Sequence, residues 1–192
     1  MPGLKTLLNE LLSGDEGRAE AAVPALAALG AEALPALREA ARSQNSDSRW
    51  WAVRVLAEIP ETGAAELAAF LRDAQPEVRQ AAALGLLGAP AEESVLPELI
   101  RALDDPDPIT AGLAGNALVK AGQAAVPHLL EVLKGNRQEA RIRALRSLAK
   151  LKDPRSIPAM LNILQEDSAV LGHWAQEGLE RLGLNMIYIK PT

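Results

Sequence analysis

The chain has 192 residues, 48% of them hydrophobic but only 3% aromatic, and its 25 acidic against 20 basic side chains leave a net charge of −5. That balance argues against nucleic acid as the partner, because a DNA- or RNA-binding face neutralises phosphates with a surplus of Lys and Arg. The lack of cysteine excludes disulfides, thiolate metal sites and cysteine nucleophiles, and no apolar run approaches the ~20 residues of a membrane span.

The opening Met1-Pro2-Gly3-Leu4-Lys5 has no signal-peptide stretch, so a cytoplasmic protein is expected. Leu4, Leu7, Leu8, Leu11 and Leu12 then recur at helical spacing with Lys5, Asn9 and Glu10 between them, which predicts an amphipathic helix able to cap a stack. After Gly14-Asp15 a second helix carries Ala22 and Leu26, and this two-helix unit returns along the chain. Its first helix ends at Leu12, Ala41, Leu71, Leu103, Leu133 and Leu164, at successive spacings of 29, 30, 32, 30 and 31. Six residues upstream stand Thr6, Pro35, Ala65, Pro97, Pro127 and Pro158. Proline is tolerated in a helix's opening turn, where its missing N–H would have no partner anyway. Between these positions lie stripes such as Leu96, Leu99, Ile100 and Leu103, one buried face each.

The turns that follow, among them Asn45-Ser46-Asp47, Asp73-Ala74-Gln75-Pro76, Asp104 to Pro108 and Glu166-Asp167-Ser168, supply short polar side chains that can accept the orphan N–H groups of the next helix. Second helices align on a small residue four before a leucine: Ala22/Leu26, Ala52/Leu56, Ala82/Leu86, Ala114/Leu118, Ala144/Leu148 and Ala175/Leu179. The third copy reads as compressed, because Gly88 closes it two residues earlier than Gly30, Gly122 and Gly183 close theirs. Beyond Gly183 the tail alternates like a strand and is expected to fold over the sixth unit or dock onto a neighbour.

A period near 30 residues marks a solenoid. The runs Val78-Arg79-Gln80-Ala81-Ala82 and Ala140-Arg141-Ile142-Arg143-Ala144-Leu145 resemble the HEAT-like repeat family, in particular its short bacterial repeats of the bilin lyase type, over residues 3 to 183. The resemblance implies an all-α, right-handed α-solenoid of six helix pairs, armadillo-like, with one domain over 1–183 and an extended tail over 184–192. It also implies a ladder of turn aspartates and arginines between neighbouring repeats. The matching arginines are Arg49, Arg79 and Arg141, while Ala19, Ala111 and Gly172 interrupt the ladder.

Counting Ser48, Thr110 or Leu171 as position zero of a second helix, positions 0, 4, 8 and 11 cluster on one face and positions 2, 6 and 9 point away from it. This outward row supplies the candidate partner-binding residues Trp50, Arg54, Gln80, Asn116, Ile142, Arg146, His173 and Glu177. Trp50 with Arg54, and Ile142 with Arg146, each set an apolar side chain one turn from a guanidinium, and Gly112 leaves room for another backbone. Trp51 is expected in the core, with Trp50 partly exposed and Trp174 packing on the last repeat. The basic run Arg137, Arg141, Arg143, Arg146, Lys150, Lys152 and Arg155 reads as a solvated face plus the ladder, or as a patch for an acidic partner.

No phosphate loop, Ser/His/Asp arrangement or metal cluster is present, so no catalytic residue, cofactor or metal is assigned. His173 and Glu177 offer two metal ligands without a third, and His128 sits in a first helix. HEAT-like deoxyhypusine hydroxylases hold iron with His-Glu pairs, which neither His128-Leu129 nor His173-Trp174 forms. HEAT-like alkylpurine DNA glycosylases use tryptophans with an aspartate and an arginine on a basic groove; Trp50 and Arg54 match, but the row has no aspartate. The expectation is therefore a non-enzymatic scaffold that binds a protein or peptide of unknown identity along the concave second-helix face, with no nucleic acid and no membrane, as a monomer or a weak homodimer through the tail. The alternative is an enzyme or enzyme-associated protein of the bilin lyase kind, and behind it the DNA glycosylase kind.

Overall fold

Twelve α-helices run through residues 2–166 and 168–184, the part of the chain that the computed structural model describes. Among these residues there is no strand, and no helix is long and apolar enough to cross a membrane. The expectations for the tail from residue 185 onward, and for Asp167 in the sixth turn, lie outside the described residues.

The helices form pairs: α1 (Leu4–Leu11) with α2 (Glu16–Ala28), α3 (Leu34–Ala40) with α4 (Ser46–Glu58), and α5 (Ala64–Ala69) with α6 (Pro76–Gly88). These belong to a first compact unit, residues 1–90. A second unit, residues 91–192, holds α7 (Leu96–Ala102) with α8 (Pro108–Lys120), α9 (Val126–Leu133) with α10 (Gln138–Leu151), and α11 (Ile157–Ile163) with α12 (Ala169–Arg181). Inside each unit second helices pack on second helices, α2 on α4 on α6 and α8 on α10 on α12, which is α-solenoid stacking.

The six Ala/Leu pairs explain the stacking, because all twelve side chains are buried, the third copy's Ala82 and Leu86 included. A small residue one turn before a leucine lets the neighbouring helix approach while the leucine fills the space beside it. Pro35, Pro97, Pro127 and Pro158 stand at the first or second position of α3, α7, α9 and α11. Asp15, Asn45, Asp107 and Ser168 cap α2, α4, α8 and α12 by accepting the N–H groups of Arg18, Ser48, Thr110 and Leu171. No side chain caps α6 or α10; α6 starts on Pro76 instead.

Two details differ from the sequence reading. Gly88 is the last residue of α6 and not a left-handed stop like Gly30, Gly122 and Gly183, so α6 keeps the thirteen residues of α4 and α8 and the third copy is not shortened in its helix. Leu12, at the helix-ending position that is buried in the other five copies, is 42% exposed and lines a cleft.

Candidate functional site

In the first unit a cleft of about 530 Å³ opens along the N-terminal ends of α2, α4 and α6. Its walls are set by the turns. Arg49 Nη1 donates to the carbonyls of Ser43 and Gln44 at 3.0 and 3.2 Å, and Nε and Nη2 donate to the two oxygens of Asp73 at 2.8 and 2.9 Å. One guanidinium thereby ties its own turn to the corresponding turn of the next pair, between α5 and α6. Burial works to raise the Asp73 pKa, but the hydrogen bonds from Arg49 and from the Gln75 N–H hold it below the ordinary carboxylate range. Arg79 repeats the turn half of this pattern, donating to the carbonyls of Asp73 and Ala74.

The first turns of α4 present Trp50 and Trp51 to the cleft, ring centroids 4.5 Å apart and 79° between planes. Both are half-buried, so Trp51 is not the core residue expected from the sequence. Adjacent residues point about 100° apart on a helix, and the cleft between successive turns is wide enough to admit both rings. Arg54 backs them, its Cζ 5.5 Å from the Trp50 ring and 5.8 Å from the Trp51 ring, while Nη2 donates to Glu20 at 2.6 Å. Exposed Glu16, Asp47 and Glu77, each in the first turn of its helix, rim the cleft beside Gln75 and Gln80. Of the row expected in this unit, Trp50 and Gln80 line the cleft and Arg54 does not. Trp51 and the three acids were missed, although acids recurring in the first turn of each second helix were visible in the sequence.

In the second unit a smaller cleft of about 140 Å³ lies between α8 and α10, lined by Gly112, Asn116, Arg143, Arg146, Ser147 and Lys150 among others. Lys150 Nζ donates to Asn116 Oδ1 at 2.9 Å, and the Arg146 Cζ stands 4.8 Å over the ring of Trp174. Trp174 is thus a platform for a cation, held in turn by His173 edge-on at 5.2 Å. Asn116 and Arg146 come together as expected, whereas Ile142, His173 and Glu177 do not line this cleft. Glu177 instead accepts from Arg181 at 2.5 Å, and no group of three potential metal ligands forms among the described residues. The basic run divides: Arg137 pairs with Asp104, Arg141 with Glu166 and Arg155 with Asp153, Lys152 is the left-handed C-cap of α10, and Arg143, Arg146 and Lys150 stand at the cleft.

The family profile described as HEAT repeats matches residues 4–86 and 64–139, and that of the PBS lyase HEAT-like repeat matches residues 140–166. The chain is a HEAT-repeat protein. This HEAT-repeat protein is similar to phycocyanobilin lyase subunit beta of Pseudanabaena tenuis (strain PCC 7409), 38% identical over 84 residues, which are 44% of this chain and 30% of that relative. Its fold matches the complex of CpcE and CpcF of phycocyanin lyase from Nostoc sp. PCC7120 at a TM-score of 0.59 and 25% identity, over 75% of this chain and 96% of that one. It also matches an archaeal HEAT-like repeats protein from Thermococcus onnurineus NA1 at a TM-score of 0.62 and 15% identity, over 95% and 81% of the two chains. The chain spans between 30% and 44% of the length of the curated relatives it matches.

These likenesses correct the expectation of a non-enzymatic scaffold, since the relatives are bilin lyase subunits and a bilin biosynthesis protein, enzymes or parts of enzymes. The physical reason for the misreading lies in the repeat. Residues about 30 positions apart, such as Glu16, Asp47 and Glu77, meet at one cleft only after stacking, so the lack of a linear catalytic motif carried no information about chemistry.

Proposed function

We propose that this HEAT-repeat protein is a component of a bilin lyase-type enzyme and holds an open-chain tetrapyrrole in the cleft of its first unit. The observation that carries the reading is the 38% identity to a phycocyanobilin lyase subunit. The geometry supports it: about 530 Å³ lies within the range of small-molecule sites, and the half-buried indoles of Trp50 and Trp51 offer faces to a conjugated ligand. Glu16, Asp47 and Glu77 provide acceptors for pyrrole N–H groups. The role of component is supported by the likeness to CpcE and CpcF of phycocyanin lyase, solved as a complex; in this reading a second protein chain completes the enzyme.

Titration of phycocyanobilin into the protein, followed by absorbance, tests this. Binding should shift the bilin spectrum saturably, and Trp50→Ala with Trp51→Ala should weaken it by about tenfold or more, the loss of two aromatic contacts. A bilin spectrum unchanged at saturating protein, or one equally shifted by the double variant, refutes the assignment.

A further inference from the structure

We propose that the cleft between α8 and α10 is an oxyanion site, taking a single carboxylate or phosphate group of a ligand. The cleft concentrates positive charge with no acid in its lining, whatever the first unit's cleft holds. Several arginines elsewhere pair directly with acids: Arg18 with Glu10, Arg38 with Glu66, Arg49 with Asp73, Arg141 with Glu166 and Arg181 with Glu177. In the cleft the hydrogen-bond and ring partners are neutral. Arg146 rests on an indole, Lys150 is bonded to an amide oxygen, and Arg143 Nη1 donates to the Leu103 carbonyl at 2.9 Å. Arg143 also makes a long ion pair, 3.8 Å, with the 69% exposed Glu139 one turn away on the same helix, and no acid lines the cleft itself.

Arg143, Arg146 and Lys150 stand at i, i+3 and i+7 of α10, so three cations share one helix face. Like charges at these spacings destabilise a helix, and in a chain of net charge −5 acids for pairing are plentiful. An anion from outside relieves the repulsion. Asn116 spends its oxygen on Lys150, which leaves its amide NH₂ as a further donor. Gly112 keeps the mouth open, with no atom within 4 Å of where a Cβ would stand. A volume of about 140 Å³ suits one oxyanion group and not a whole cofactor.

The test uses the full chain with Trp50→Phe and Trp51→Phe, which leaves Trp174 as the single reporter among the three tryptophans. Inorganic phosphate and glutarate are titrated separately at constant ionic strength. An anion that draws Arg146 from its ring changes Trp174 emission saturably, with affinity on the order of millimolar for so small a ligand. A response to phosphate alone assigns a phosphate-bearing ligand, and one to glutarate alone a carboxylate. Gly112→Glu, which places an acid in the open mouth, and Lys150→Gln should each weaken the response by about tenfold with thermal unfolding intact. The same titrations on the wild-type chain, read at the Nε–Hε resonances of Arg143 and Arg146, serve should the reporter variant not fold. No saturable change with either anion, or a change that survives both substitutions, overturns the proposal.

Discussion

Replacing glycine by alanine at two positions of the second helices should change stability in opposite directions. A Cβ added at Gly85 in α6 would stand 2.6 Å from the Cβ of Ala57 in α4 and 3.2 Å from Leu67 Cδ1. Because the Ala57 methyl is fixed to its backbone, the clash is relieved only by moving α4 and α6 apart, at the upper end of the roughly 1–3 kcal/mol that overpacking costs. Alanine's higher helix propensity returns about 1 kcal/mol. The net loss for Gly85→Ala is about 2 kcal/mol, a Tm lower by about 4–8 °C in a chain of this size. Gly112→Ala meets nothing within 4 Å, so only the propensity gain remains, about 0.5–1 kcal/mol and a slightly higher Tm. Gly178→Ala lies between them, because the atoms it meets are the flexible Sδ and Cε of Met160. Urea unfolding followed by far-ultraviolet circular dichroism measures all three. A neutral Gly85→Ala, or a Gly112→Ala less stable than wild type, would refute the packing argument.

Two further outcomes concern the Arg49 clasp. Arg49→Ala removes a side chain only 15% exposed from an Asp73 only 11% exposed, and should cost about 3 kcal/mol in urea, whereas Arg18→Ala at an exposed pair should leave the urea midpoint essentially unchanged. Because the folded-state pKa of Asp73 is depressed, its stabilisation is fully present above the ordinary carboxylate value of about 3.9 and is lost as pH falls through the folded value. Asp73→Asn should therefore be less stable than wild type at pH 6 and converge with it in Tm as pH falls through the folded value; parallel curves would count against the clasp.

The repeat register was legible because packing dictates it: the Ala/Leu pairs recur and are buried in all six copies, and four copies add a helix-opening proline. The outward phase of the second helices was legible for the same reason, since Trp50 and Ile142 are half-buried and Asn116 and Arg146 exposed. A helical wheel, however, describes one helix, and both clefts lie between helices. Hence Arg54, correctly placed facing outward, turns along the indoles to reach Glu20, and Lys150 bonds Asn116 of a different pair. Arg143 could be assigned to the cleft only once its bond to the Leu103 carbonyl, forty residues away, was known. The chemistry left no trace in the period, because the period records what neighbours must bury and not what they expose.

Four donor contacts of Arg49 make the turn that starts α4 and the turn that starts α6 a single mechanical part. The tryptophans stand immediately after the first of these turns, and Gln75 and Glu77 immediately after the second. A guest entering the first unit therefore meets a mould cast during folding, whose opposite sides keep their spacing while individual side chains rotate. A lysine at position 49, with one ammonium in place of a planar fork, could hold one side of that mould but not both.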